Sequence, residues 1–187
     1  MSTLTEPLLP SPTDSPEAQR RFEALLAAHQ KIVLKVASIY AYGRDDRLDL
    51  GQEICAQLWR AFAHYDASRP FSTWMYRIAL NVAISHVRRE VGSRQRFEPL
   101  VDDADALAAP EPEEPDARLA QLDAFITTLE PLNRALMLLV LDERSHAEIA
   151  EVLGISTSNV ATKINRIKQR LRDQFAAAQP EQSHGTR

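Results

Sequence analysis

Between Ser156 and Arg172 the chain sets short hydrogen-bonding side chains beside a row of cations. Ser158, Thr162, Asn165 and Gln169 recur at helical spacing, with Asn159, Lys163, Arg166 and Arg170 along one flank. Val160, Ile164, Ile167 and Leu171 form a narrow apolar seam nearly opposite. Side chains three and four apart share a helix face, so such a helix packs by its seam and turns donors, acceptors and cations outward. The chemistry on offer is recognition without bond breaking. Hydroxyls and amides can read base edges, while Lys and Arg neutralise phosphates. A solvated face on a bundle helix carries the same pattern, and this segment alone leaves both readings open.

The residues just upstream decide what positions that helix. Ser145 followed by Glu148 has the capping-box spacing, in which each side chain satisfies the other's backbone N–H. Ile149, Ala150 and Leu153 give the helix so started an inward face. Gly154 supplies a left-handed stop, and Ser156 can cap the helix that follows. Helix, tight turn and basic second helix together make the layout of a DNA-reading helix-turn-helix.

Two further helices carry patterned faces. Over about Leu48 to His64, Leu50, Ile54, Leu58 and Phe62 form an apolar row flanked by Cys55 and Trp59. Asp49, Gln52, Glu53, Ala56 and Arg60 share the opposite face, where a solvated surface is the plain alternative to a docking one. A third helix begins beyond Pro70 and runs to about Glu90, with Phe71, Trp74, Met75, Ile78 and Val82 inward or at an aromatic edge. Thr73, Arg77, Asn81, Ser85 and Arg88 line its polar side, with Arg89, Arg94 and Arg96 beyond. Tyr65, Phe71, Trp74 and Tyr76 lie among these cations, and aromatic rings beside a basic groove can stack unpaired bases at roughly 1–3 kcal/mol each. Phe71 and Trp74 are equally read as core residues.

Composition frames these elements. Gly is scarce and the helix-forming Ala, Leu, Arg and Glu abound over 187 residues, which predicts an all-α protein of two small helical domains. The net charge of −4 is segregated rather than spread. Phe97 to Asp116 holds only acidic charges and Gly154 to Arg172 only basic ones, so the average hides a cationic surface. Prolines at 99, 110, 112 and 115 and mutual carboxylate repulsion predict a flexible acidic linker over 92–116. Residues 1–16 read as a disordered N-terminal tail, 17–91 as the first helical domain, 117–177 as the second, and 178–187 as a disordered C-terminal tail. In the first, Phe22, Leu25, Leu26, His29, Ile32, Val33, Val36 and Tyr40 line one helix face, and Gly43 with Arg44-Asp-Asp-Arg47 interrupts the periodicity. In the second, Leu119, Leu122, Phe125, Ile126 and Leu129 form a core face, and Pro131 starts a helix bearing Leu132, Leu136, Leu139 and Val140.

Catalytic and metal chemistry find no footing. Cys55 is the single cysteine, expected on a buried helix face as a small core residue, and no Cys/His group has metal-ligand spacing. His146-Ala147-Glu148 matches the first half of a zinc-deaminase signature, but the Pro-Cys-x-x-Cys half is missing. No nucleophile–base constellation or phosphate-binding Gly loop is present, so no enzyme and no cofactor is expected. There is no apolar run of membrane-spanning length and no cationic signal-peptide start, and the expectation is a cytoplasmic protein without membrane insertion.

The motifs in sequence order resemble an extracytoplasmic-function sigma factor of bacterial RNA polymerase. Leu48-Asp-Leu-Gly-Gln-Glu-Ile54 with Leu58-Trp59 is similar to the family's motif for gripping core polymerase. Phe71-Ser-Thr-Trp-Met-Tyr-Arg-Ile-Ala-Leu-Asn81 with Arg88-Arg89 resembles the segment that melts and reads the minus-ten element. Glu148-Ile-Ala-Glu-Val-Leu-Gly-Ile-Ser156 with Val160 and Arg166 resembles the domain that reads the minus-thirty-five element. The resemblance covers about 20–90 and 118–175, making 17–91 a region 2 domain and 117–177 a region 4 domain. The chain has Leu48 where the family often has an acidic residue, Ala161 where it often has a basic one, and Ile167 where it often has alanine.

The resemblance implies a protein that binds core polymerase and directs promoter recognition and initiation at stress- or signal-responsive genes. It assigns core binding to Asp49, Gln52, Glu53 and Trp59. Single-stranded minus-ten DNA falls to Tyr65, Arg69, Phe71, Trp74, Arg77, Asn81, Arg88 and Arg89. Upstream duplex falls to Ser156, Ser158, Asn159, Thr162, Lys163, Arg166 and Arg170. An anti-sigma factor is a further implied partner, and the acidic linker would follow a basic polymerase channel, act as a spacer, or fold back on the cationic surfaces. A free-standing repressor or activator is the rival, but it leaves the Asp49/Gln52/Glu53 face unexplained.

Overall fold

The computed structural model describes residues 15–94 and 117–177, which form seven α-helices. They are α1 (Pro16–Tyr40), α2 (Arg44–Phe62), α3 (Phe71–Arg94), α4 (Ala117–Thr128), α5 (Pro131–Leu141), α6 (His146–Leu153) and α7 (Thr157–Ala177). They divide into two compact units, the boundary falling after Arg88 in the last turns of α3. The predicted all-α, two-domain architecture is present. The acidic stretch from residue 95 onward and the C-terminal tail lie outside the described residues, as does the N-terminal tail up to residue 14. Among the described residues, no helix is long and apolar enough to cross a membrane.

In the first unit, α1 starts inside the stretch read as a tail. Ser15 accepts the Ala18 N–H at 3.1 Å, and Pro16 takes the first helical position, where its missing N–H costs nothing. The core side of α1 is Phe22, Ile32, Val33, Val36, Ala37 and Tyr40, packed on α2. Arg44 to Arg47, expected to interrupt the helices, is instead the first turn of α2, where Asp45 and Asp46 sit favourably at the positive end of the helix dipole. Leu50, Ile54, Leu58 and Phe62 are buried as one row, as the spacing predicted. Truncating one of them to alanine would cost about 2–5 kcal/mol.

α3 buries Phe71 and Met75 of the seam its sequence suggested, but otherwise turns neighbouring residues inward. Phe71, Met75, Tyr76, Ala79, Leu80 and Ala83 are buried, while Trp74, Ile78 and Val82 are half-buried. Tyr76, expected among the cations, is 0% exposed, and Thr73, expected on the polar side, is 6% exposed. Both seams have helical spacing beside the polar side of the helix, and packing selects between them, with Phe71 meeting His29 of α1 and Phe62 of α2. The helix also continues past Glu90 to Arg94, through residues read as the start of the linker.

The second unit is built around α5, which packs on α4, α6 and α7. Phe125 and Ile126 of α4, Leu129 just beyond it, and Ala135 through Leu139 of α5 are all buried. Arg134 is 5% exposed and donates to the carbonyls of Thr127 at 2.6 Å and Leu129 at 3.3 Å. A buried guanidinium thus closes the carbonyl end of α4, a placement that favours a cation. α5 ends with Glu143 in the left-handed region at φ 56, where Glu143 N–H donates to Val140 and Arg144 N–H to Leu139.

Candidate nucleic-acid interface

The helix-turn-helix has the caps its sequence specifies. Ser145 Oγ accepts the Glu148 N–H at 3.2 Å, and Glu148 Oε2 accepts the Ser145 N–H at 2.9 Å and its hydroxyl at 2.7 Å. The two Ser145 bonds, hydroxyl first and backbone second, hold the Glu148 carboxyl below the usual Glu range, and Arg144 at 3.4 Å adds to the effect. Gly154 ends α6 at φ 66 and ψ 33. Ser156 Oγ then accepts the Asn159 N–H at 3.2 Å and starts α7. Ile149 and Val152 bury the inner side of α6, so Val152 joins Ile149 at positions where Ala150 and Leu153 were expected and are only half-buried. Val152 was missed because a helix this short offers too few repeats to fix the centre of its face.

That scaffold sets α7 with one side in and one side out. Val160, Ile164 and Ile167 are buried, and Leu171 is half-buried. Ser156, Ser158, Asn159, Thr162, Asn165, Arg166, Gln169 and Arg170 are exposed, and Lys163 is half-buried. Ser156 and Ser158 share a hydroxyl contact of 3.0 Å, and the Thr162 hydroxyl donates to the Ser158 carbonyl at 2.9 Å. Gln169 is less available, since its amide donates to Asp173 at 2.8 Å. The result is a small polar surface at the first two turns of α7, with cations along its flank.

In the first unit the connection between α2 and α3 is held by its own hydrogen bonds. Tyr65 donates its hydroxyl to the Arg69 carbonyl at 2.8 Å. Asp66 accepts the Ser68 N–H at 2.9 Å and the Ser68 hydroxyl at 2.8 Å, which lowers its carboxyl below the usual Asp range, the backbone bond counting most. Beneath this turn lies an aromatic cluster. Phe62 meets Phe22, Tyr65, Phe71 and Trp74 at centroid distances of 5.2 to 6.5 Å. Tyr65 and Trp74 are half-buried at its edge, 5.1 Å apart, whereas Phe71 is 5% exposed and acts as core. Arg69 is exposed on the turn. Arg77, Asn81, Ser85, Arg88 and Arg89 are exposed along α3.

On α2, Asp49 and Gln52 are exposed and Glu53 half-buried, a polar strip opposite the buried row. Trp59 does not belong to that strip. It is half-buried with its ring 5.0 Å from Phe22 of α1, at the rim of the aromatic cluster. Cys55 is half-buried, and burial pushes its thiol up, away from the reactive thiolate. Leu48 is 55% exposed beside Asp49.

Sequence reasoning missed two contacts that span elements. The Arg134 cap on α4 has no local signature. Asp46 Oδ1 lies 3.2 Å from His86 Nε2, joining the start of α2 to α3. His86 and Glu90 are spaced to share a helix face, but the carboxylate that His86 meets is 40 residues away in the chain.

Comparison with known proteins matches both units. A family model described as Sigma-70 region 2 matches residues 25–92, and one described as Sigma-70, region 4 matches residues 119–171. The ECF RNA polymerase sigma factor SigE of Mycolicibacterium smegmatis is 32% identical over 170 residues, spanning 88% of this chain and 65% of that protein. The ECF RNA polymerase sigma factor SigW of Bacillus subtilis is 30% identical over 141 residues, spanning 68% of this chain and 74% of that protein. The sigma factor RpoE from Bartonella quintana, solved in complex with the anti-sigma factor NepR, shares the fold with a TM-score of 0.66 at 16% identity, over 88% of this chain and 100% of that one.

Proposed function

The chain belongs to the ECF sigma factors of bacterial RNA polymerase, and from that membership we propose that it binds core polymerase, directs it to promoters and starts transcription there. It performs no bond chemistry of its own, since phosphodiester formation belongs to the polymerase. The observation that carries the reading furthest into this molecule is the surface of α7. Its apolar seam is buried and its hydroxyls, amide and cations face out, the division a helix needs to lie in a major groove.

Labour divides between the units. In the region 2 domain, residues 17–91, the strip of Asp49, Gln52 and Glu53 docks on core polymerase, with Trp59 supporting α2 from behind through Phe22. Arg77, Asn81, Arg88 and Arg89 follow the displaced minus-ten strand, and Tyr65, Arg69 and Trp74 present the aromatic and cationic edge at its start. Phe71 supports that edge from within the core. In the second, residues 117–177, Ser156 caps α7 while Ser158, Asn159 and Thr162 approach base edges of the minus-thirty-five duplex. Lys163, Arg166 and Arg170 hold phosphates. An anti-sigma factor is a further partner, supported by the likeness to RpoE solved with NepR.

Run-off transcription with purified core polymerase over a genomic promoter pool tests the whole reading. Discrete products that require this chain are expected, and their absence would refute it. A double variant, Asp49→Lys with Glu53→Lys, tests the docking strip. It should lose core affinity at unchanged helicity, and wild-type affinity would remove the assignment.

A further inference from the structure

We propose that Asp46, His86 and Glu90 form a binding site for one divalent first-row transition-metal ion, with Zn²⁺ the best fit, clasping the start of α2 to the far half of α3. His86 and Glu90 stand one helical turn apart on α3 and therefore project from the same face. Asp46 reaches them from the first turn of α2. One ligand atom from each of the three lies within 4.8 Å of the other two, and all three residues are half-buried.

The spacing suits a metal ion. Zinc bonds to nitrogen and oxygen of about 2.0–2.2 Å in a tetrahedral arrangement place neighbouring donors roughly 3.3–3.5 Å apart. Asp46 Oδ1 and His86 Nε2 are already 3.2 Å apart. Glu90 offers an oxygen within 4.8 Å of both, so it has to close by no more than roughly 1.5 Å. Asp46 is held for the task, because its second oxygen accepts the Tyr42 N–H at 3.2 Å. Orienting bonds of this kind fix a ligand's direction and raise its affinity for metal.

The donor chemistry narrows the ion. Carboxylates alone would suit Mg²⁺ or Ca²⁺, whereas an imidazole nitrogen favours zinc and its transition-metal neighbours. Two carboxylates balance a dication, and three protein donors leave one position for water. A bound ion would tie together two helices that bear different surfaces. Asp46 lies three residues before Asp49, and Glu90 directly follows Arg88 and Arg89.

The test is calorimetric titration of the metal-free full-length chain with ZnCl₂ at neutral pH, with parallel thermal melts. The wild type should take up one equivalent, and its melting midpoint should rise with zinc. His86→Ala and Glu90→Gln should each weaken binding at least about tenfold, the lower bound seen even when an orienting partner is lost. His64→Ala, which removes an exposed histidine elsewhere, should leave binding unchanged. No zinc uptake by folded wild type would overturn the proposal and leave the trio as an ion-pair cluster. Uptake that survives both His86→Ala and Glu90→Gln would overturn it equally, by placing the metal elsewhere. If His86→Ala failed to fold, Glu90→Gln and the perturbation of the His86 ring resonances in wild type on adding zinc would still decide.

Discussion

Thr162 donates its hydroxyl proton to the Ser158 carbonyl, so outward it offers only lone pairs and a methyl group. Against a major groove it can accept from the amino group of adenine or cytosine, or cover the methyl of thymine, but it has no proton left for guanine. Ser158 and Asn159 keep more freedom, and replacing either with alanine should change which upstream sequence is preferred. Lys163→Ala should behave differently, weakening binding to every sequence and flattening the salt dependence by about one unit of slope. Filter binding across a salt series with several promoter sequences separates the two behaviours. A shift in sequence preference at constant slope would put Lys163 among the base readers. Glu148 makes a different prediction, about acid. Its carboxyl is held below the ordinary value of 4.5 when folded, so its stabilising contribution is complete above that pH and is lost as pH falls through the lowered folded value. Urea melts of Glu148→Gln should therefore show a smaller loss of stability on acidification than wild type.

Two glycines give opposite predictions at the level of single helices. Gly51 lies inside α2, where an added Cβ would meet Val33 Cγ1 at 3.8 Å, an ordinary contact. Gly51→Ala should stabilise the first unit by about 0.5–1 kcal/mol, through lower unfolded-chain entropy and better helix propensity. Gly154 sits at φ 66 with open space around it, so the objection to a side chain is backbone strain alone. Gly154→Ala should destabilise the second unit by about 1–2 kcal/mol, the cost of a left-handed L-residue, and loosen the angle between α6 and α7. Thermal melts of the two variants check both signs. What made Gly154, Ser145 and Ser156 readable in the sequence was locality: a cap needs only its own helix end. The apolar rows of α2 and α7 were readable for a related reason, because each had a polar opposite face. α3 has a polar side too, but its apolar residues form two neighbouring seams, so spacing alone does not centre the buried one, and Tyr76 and Thr73 turn inward against expectation. The charged opening of α2 looks like a break because Arg44 to Arg47 carry no apolar residue to continue the periodicity, although Asp45 and Asp46 suit the positive end of a helix. Arg134 and the Asp46–His86 contact depend on packing between elements, which no local pattern encodes. Among the interface residues, Phe71 and Trp59 were legible as aromatic but not as to which neighbour would cover them.

For the molecule as a whole, charge is distributed by segment, and the acidic stretch is the part whose role is most open to experiment. Neutralising Asp102, Asp103, Glu111, Glu113 and Glu114 at constant length and proline content is expected to weaken holoenzyme assembly and alter the pattern of short abortive transcripts. Tighter DNA binding by the free protein at low salt, where charge is least screened, would instead mean that the stretch folds onto the chain's own cations. No change in either would make it a spacer. A second asymmetry concerns light. Both tryptophans, Trp59 and Trp74, and all four tyrosines lie in the first unit, and the second has none. The aromatic cluster beneath the α2–α3 turn is therefore an optical label carried by one half of the molecule. Tryptophan emission reports on that half alone, whereas far-ultraviolet dichroism sums the helices of both. The shift caused by Gly51→Ala should appear in both signals, and that of Gly154→Ala in dichroism only. If Gly154→Ala moved the emission midpoint as well, the two halves would be unfolding as a single cooperative body. Because Trp59 and Trp74 flank the surfaces assigned to polymerase and melted DNA, the same emission should also register each partner's arrival without any dye attached.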